Sequence, residues 1–281
     1  MAKRARVAGG TLPLRTVRKA LTRAGHPDPA RAHPQRILDR SKAHQIAPGS
    51  CALAIMTKAP RAGAVKTRLQ PPLTAEEAAA LNVCFLRDTA SAISRAGGKA
   101  RGVAVYTPAD ARHEYNHILP RDFELLPQRG DGFGERLFLA TEDLLGVGFQ
   151  SCCLINSDSP TVTAEAFREA VDALQGEAER VVLGPTDDGG YYLIGMKQAY
   201  ARLFADIDWS SERVFDQTVI RAREIALEVH TLPKFFDVDD RFALRRLCGE
   251  LLGEDGGSAP ETTRFLHQIV EREGRERIWT Q

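Results

Sequence analysis

The sequence has no apolar run approaching the roughly 20 residues a membrane helix needs, so a helical membrane span is excluded. Its basic start lacks the apolar centre of a secretory signal, and export is not expected. The five cysteines (Cys51, Cys84, Cys152, Cys153 and Cys248) are odd in number and form no C-x-x-C pair. That argues against a disulfide framework and against a zinc ribbon; the thiols read as buried and free, as in a reducing cytoplasm, which is the expected location. His113 and His117 stand four apart, but no H-E-x-x-H accompanies them, so they read as surface residues. There is no Walker A spacing and no internal repeat.

What is present fits a globular enzyme-sized domain, with 43% hydrophobic and 27% charged residues in 281. The net charge of +1 conceals an asymmetry. Residues 1–50 carry eleven Lys/Arg against two Asp/Glu, and the remainder carries a net of −8. We read 1–50 as a basic, proline-containing N-terminal extension and 51–281 as the main domain, with the boundary near Pro48-Gly49. A short helix over Thr16–Ala24 fits the extension. A basic arm on an acidic body could bind nucleic acid or anionic lipid, but its composition better suits a solvated or body-docked arm and also resembles a transit peptide. No nucleic-acid partner is expected, and the sequence is silent on oligomeric state.

The domain is organised around Ser151-Cys152-Cys153-Leu154-Ile155-Asn156-Ser157-Asp158-Ser159-Pro160. An apolar strand ends there in a polar turn, because proline offers no N–H to a sheet. Asp158 falls just past the carboxyl end of the strand, where open α/β sheets bind ligands. A carboxylate in that place suits a hard divalent ion carrying phosphates, or else simply caps the next helix.

Strands are predicted at Cys51–Met56, Gly102–Tyr106, Asp122–Leu126, Arg180–Leu183, about 191–195, and Leu227–Leu232. Helices are predicted from the capping box Thr74-Ala75-Glu76-Glu77 to about Arg95, after Gly134, after Thr163, over 240–252 and from about Pro260 to Arg272. Alternating strands and helices indicate a mostly parallel sheet with helices on both faces. Polar motifs gather at strand ends. Lys58-Ala59-Pro60-Arg61-Ala62-Gly63-Ala64-Val65-Lys66-Thr67-Arg68 follows the first strand, a basic loop suited to polyphosphate. Gly130-Asp131-Gly132-Phe133-Gly134-Glu135-Arg136 lies at another strand-to-helix junction. Asp187-Asp188-Gly189-Gly190 reads as a hairpin turn that also sets a carboxylate near Tyr191. Trp209-Ser210-Ser211 precedes a helix start, and Asp237-Val238-Asp239-Asp240 forms a second acidic cluster.

Taken together, K-A-P-R-A-G-x-x-K-T-R-L (58–69), G-D-G-F-G-E-R (130–136), S-D-S-P (157–160), G-P-x-x-D-G-G-Y-Y-L-I-G (184–195), W-S-S (209–211) and D-V-D (237–239) resemble a bacterial family of glycosyltransferase-like proteins with the GT-A fold, some of them linked to arsenosugar biosynthesis. The resemblance covers about residues 51–253. It implies the nucleotide-diphospho-sugar transferase fold, a nucleotide-sugar donor, a small-molecule acceptor and a Mg2+ or Mn2+ ion. This chain has Asp158-Ser159-Pro160 where a D-x-D is usual. The motifs also resemble small nucleotidyltransferases, which transfer a nucleotide from a triphosphate and release pyrophosphate; that is the alternative.

The site expected on these grounds has Asp158 and Asp239 on the metal. Lys58, Arg61, Gly63, Lys66, Arg68, Gly130, Asp131 and Arg136 hold the nucleotide and its phosphates. Asp188 and Asp158 are catalytic, with Asp188 as base. Gly189, Gly190, Tyr191, Trp209 and Ser210 shape the sugar or acceptor pocket.

Overall fold

The computed structural model describes residues 35–42, 44–253 and 257–279. The chain divides between His33 and Pro34, and all the described elements belong to the unit that begins at Pro34. The predicted helix over Thr16–Ala24 lies outside the described residues.

Among the described residues the centre is a seven-stranded sheet in the order β3-β2-β1-β4-β6-β5-β7. Its strands are β1 Cys51–Lys58, β2 Ala100–Thr107, β3 Glu124–Pro127, β4 Ser151–Ile155, β5 Arg180–Pro185, β6 Tyr191–Met196 and β7 Glu228–Thr231. All neighbours pair in parallel except β6, which runs antiparallel to both β4 and β5. The principal helices are α1 Ala75–Ala96, α2 Phe133–Gly146, α3 Ala164–Gln175, α4 Val214–Glu224, α5 Arg241–Leu251 and α6 Pro260–Glu273.

The strands form because both faces of the sheet are covered. Cys51, Leu53 and Ile55 pack with residues of α1 and α3 on one side, whereas Ala52 and Ala54 pack with residues of α2 on the other. Period-2 alternation therefore shows no polar face, and the strands read as continuous apolar runs. A third cluster joins Leu81 and Phe85 of α1 to α5 and α6. The predicted capping box is present: the Thr74 hydroxyl accepts from the Glu77 N–H at 3.2 Å, and Glu77 accepts from the Thr74 N–H at 2.9 Å. The five cysteines are buried and unpaired. No described helix is long and apolar enough to cross a membrane.

Residues 35–42 and 44–50 belong to this body, although their composition groups them with the basic extension. Ile37 bridges Leu125 of β3 in parallel, Leu38 is buried among the α2-side residues, and Arg36 pairs with Glu124 at 2.7 Å. This segment covers the edge of β3, which would otherwise offer unpaired backbone groups.

The strand order reverses at β1. The chain passes from β1 outward to β2 and β3, then returns to place β4 on the other side of β1. The carboxyl ends of β1 and β4 thus flank a topological switch point, where an open α/β sheet has its crevice.

Candidate active site

Lys58 closes β1 and enters the basic loop. Gly63 takes a positive φ of 75°, and the loop then reaches Lys66, a non-glycine residue in the left-handed region at φ 48°. A single 3-10 turn, Thr67–Leu69, follows and buries Leu69. That anchor fixes Lys66 at the head of the turn, aimed across the crevice.

On the other wall, β4 ends at Ile155. The Asn156 side chain accepts from the Asp158 N–H at 3.2 Å, an Asx turn that swings Asp158 off the strand. A third segment arrives from β7. It bridges Thr186 at Phe235, and the Val238 N–H donates to the Asp158 carbonyl at 2.9 Å. It thereby delivers Asp237 and Asp239 beside Asp158.

The Lys66 ammonium sits at the join. It contacts Asp158 Oδ1 at 2.6 Å and Asp239 Oδ1 at 3.1 Å, and donates to the Val238 carbonyl at 2.9 Å. The Lys66 side chain is only 4% exposed. Burial alone would lower its pKa, but the charges of Asp158 and Asp239 outweigh this and hold it above the ordinary lysine value. A cleft of about 260 Å3 opens here, lined by Lys58, Lys66, Thr67, Arg68, Asn82, Ser157, Asp158 and Asp239 among others. Among the described residues neither Lys58 nor Arg68 has an ion-pair partner, so both charges are available to an anion.

Asp237 is a functional candidate that sequence pattern leaves unassigned. Its carboxylate accepts from Asn156 Nδ2 at 2.7 Å and from the Ser159 hydroxyl. Burial, together with the charges of Asp158 and Asp188, raises its pKa to about 7 against those two hydrogen bonds. Asn82 is a second such residue. It is 4% exposed on α1, and its Oδ1 has no hydrogen-bond partner among the described residues. The available signal is a polar residue among the apolar positions Ala78, Leu81 and Phe85 of that helix.

The Asp188 turn is well defined. Asp188 Oδ1 accepts from the Thr186 hydroxyl at 2.6 Å and from the Gly190 N–H at 3.1 Å. Gly189 has φ 84°, and a Cβ there would lie 2.0 Å from the Glu212 carbonyl oxygen. Only glycine lets the loop holding Trp209 and Ser210 close on this turn, and the Phe215 N–H donates to the Gly189 carbonyl at 2.8 Å. Trp209 packs edge-on against Phe133 with ring centroids 5.0 Å apart. The Trp209 ring also crowds Gly134, where a Cβ would meet it at 2.7 Å.

Of the expected site residues, Lys58, Lys66, Arg68, Asp158 and Asp239 line the cleft, whereas Gly63 and the Asp188–Gly190, Trp209 and Ser210 group lie outside its lining, and others lie elsewhere. Arg61 does not line the cleft; it pairs with Glu114 at 2.6 Å. In the glycine-rich loop, Glu135 itself accepts from the Asp131 and Gly132 N–H groups, and Arg136 donates to the Gly130 carbonyl at 3.0 Å. Those donors serve the start of α2, and the loop is not part of the cleft lining. Tyr191 packs with the α2-side core, and its hydroxyl is enclosed. It does not roof an open pocket, because alternation along β6 turns it away from Tyr192, whose hydroxyl donates to the Pro233 carbonyl at 3.1 Å.

The donor set suits a divalent ion. Two carboxylates already converge on one cation, and Mg2+ or Mn2+ with phosphate commonly uses one or two carboxylates, the rest of its shell being phosphate and water. Among the described residues no group of three or more His, Cys, Asp or Glu is placed to hold a metal on its own. The residues therefore fit an ion that shares its shell with a phosphate ligand.

Comparison with known proteins agrees with this architecture. Residues 89–211 match the model of a family described as an uncharacterized protein conserved in bacteria. A search of curated proteins finds no match. A provisionally assigned nucleotide-diphospho-sugar transferase from Desulfovibrio desulfuricans G20 superposes with a TM-score of 0.72 at 28% identity, over 83% of this chain and 98% of that one. A cytidylyltransferase from Leptospira borgpetersenii gives 0.47 at 10% identity, over 83% and 98% of the two chains. Rv0371c from Mycobacterium tuberculosis H37Rv, solved in complex with manganese, gives 0.43 at 15%, over 70% and 97%. The fold is that of the nucleotide-diphospho-sugar transferases.

Proposed function

We propose that this protein is a metal-dependent glycosyltransferase that moves a sugar from a nucleoside-diphosphate sugar to a small-molecule acceptor. The observation that carries the reading is the cleft at the switch point, where Lys58 and Arg68 face the carboxylates of Asp158 and Asp239. The likeness to the Desulfovibrio protein supports it.

In this reading Lys58 and Arg68 bind the diphosphate. Asp158 and Asp239 hold Mg2+ or Mn2+, which supplies positive charge against the departing diphosphate. Asp188 keeps Oδ1 in its turn and uses the second oxygen to accept the proton of the acceptor hydroxyl. Phe133 and Trp209 offer an aromatic face to a sugar ring beside that turn; Phe133 is 57% exposed.

The test is a panel of nucleoside-diphosphate sugars with Mg2+ or Mn2+, read by mass spectrometry for a released nucleoside diphosphate. Metal-dependent release from one donor supports the reading. Pyrophosphate release from a nucleoside triphosphate, with no response to any nucleotide sugar, would assign nucleotidyl transfer to a small phosphorylated substrate instead.

A further inference from the structure

The Lys66 ammonium is ringed by three oxygens: it donates to Asp239 Oδ1 and to the Val238 carbonyl, and it forms an ion pair with Asp158 Oδ1 at 2.6 Å. Its side chain is nearly inaccessible, and the ring of Phe85 lies 5.4 Å below the nitrogen. An ammonium placed in this way is committed to the oxygens of the site rather than to a phosphate. It also occupies the point on which both metal-binding carboxylates converge. The residue best placed to reach a diphosphate is therefore withheld from it by the groups that would hold the ion.

We propose that Lys66 is a resident counter-ion that the divalent metal displaces, and that the freed ammonium moves to the diphosphate, so that metal and diphosphate bind as a coupled pair. This rests on the reading of the cleft as a metal-diphosphate site. The charge balance gives the direction. A metal entering beside an undisplaced Lys66 would stand against a like charge within a few ångströms. A diphosphate entering without metal would face two carboxylates of which one ammonium offsets only half the charge. Together, the metal takes the carboxylates and the ammonium takes the phosphate oxygens, and every charge is met. The left-handed backbone at Lys66 and the preceding Gly63 give the loop its place to turn. Coupling of this kind is reciprocal: pyrophosphate tightens metal binding by the factor by which metal tightens pyrophosphate binding.

The experiment titrates Mn2+ into the full chain, reading free Mn2+ by electron paramagnetic resonance, with and without inorganic pyrophosphate. The probe chelates Mn2+ itself, so its binding to the metal in buffer is subtracted. Wild type is expected to bind Mn2+ at least tenfold tighter with pyrophosphate than alone. Lys66→Met is expected to bind Mn2+ alone at least tenfold tighter than wild type and to lose most of the enhancement by pyrophosphate. Wild-type coupling followed by Mn2+ binding in a folded Lys66→Met that is no tighter than in wild type would overturn the proposal while leaving the cleft reading intact. Wild type that binds neither Mn2+ nor pyrophosphate would overturn both. If Lys66→Met does not fold, Lys66→Gln removes the charge with a polar side chain, and Mn2+ binding in that folded variant that is no tighter than in wild type would also overturn the proposal.

Discussion

At the scale of single residues, the site depends on a few side chains whose roles can be separated. Asp158→Asn keeps the shape of the Asx turn, whose backbone N–H still donates to Asn156. It removes one charge from the proposed ion and from Lys66. Turnover in the transfer assay is expected to fall about a hundredfold or more, with a melting temperature near wild type; unchanged turnover would remove Asp158 from the chemistry. Gly189→Ala acts differently. Its added carbon meets the Glu212 carbonyl oxygen, at a backbone angle that a side chain disfavours. A loss of about 2 kcal/mol or more, seen as a lower denaturation midpoint, is expected. The sequence made Lys66 and Asp158 legible, because both stand just past strand ends in polar loops. It could not show that Arg61 is committed to Glu114, 53 positions away. Nor could it show that the Asp237 pKa is pushed up to about 7, since that follows from burial and from neighbours brought in by tertiary structure.

At the scale of elements, α1 is the strut that ties the C-terminal helices to the sheet. Glu77 caps α1 and also pairs with Arg277 and, at 2.5 Å, with Arg272. Asp88, further along α1, accepts from the Glu261 and Thr262 N–H groups at 3.0 and 2.8 Å and so caps α6 from a distance. Burial would raise the Glu77 pKa, but the bonds from Arg277 and the Thr74 N–H overcome it and hold it below the usual 4.5. A depressed folded-state pKa stabilises above the unfolded value, and the stabilisation fades as pH falls through the folded one. Glu77→Gln is therefore expected to cost about 1.5–3 kcal/mol at pH 7 and progressively less below pH 4.5; urea titrations at pH 7 and pH 3.5 would show the difference shrink. The order of strands and helices was legible because apolar runs are separated by glycine, proline and acidic turns. The reversed direction of β6 was legible only as a hairpin signal at Asp188-Gly189, whereas its insertion between β4 and β5 is a long-range pairing with no local signature.

At the scale of the whole molecule, the body begins before Cys51. Gln35–Leu38 lies in a basic, proline-containing stretch, and its two adjacent apolar residues make no period, so sequence pattern placed it outside the domain. Yet Leu38 is fully buried and Ile37 extends the sheet at β3. A chain starting at Cys51 should lose about 2–4 kcal/mol relative to one starting at Pro34 and expose a strand edge prone to self-association. Melting curves and light scattering of the two truncations would decide, and equal behaviour would make residues 34–50 dispensable. The route of the backbone after β7 has a temporal consequence. Asp237 and Asp239 reach Asp158 only after the polypeptide has doubled back from the far border of the sheet. A nascent chain emerging from the ribosome can thus complete β1 through β6 while the proposed ion-binding cradle is still missing a wall. If the proposed function holds, the newly made protein should not bind Mn2+ with pyrophosphate until Asp239 has been synthesised, and a chain truncated before Leu232 should show no such binding.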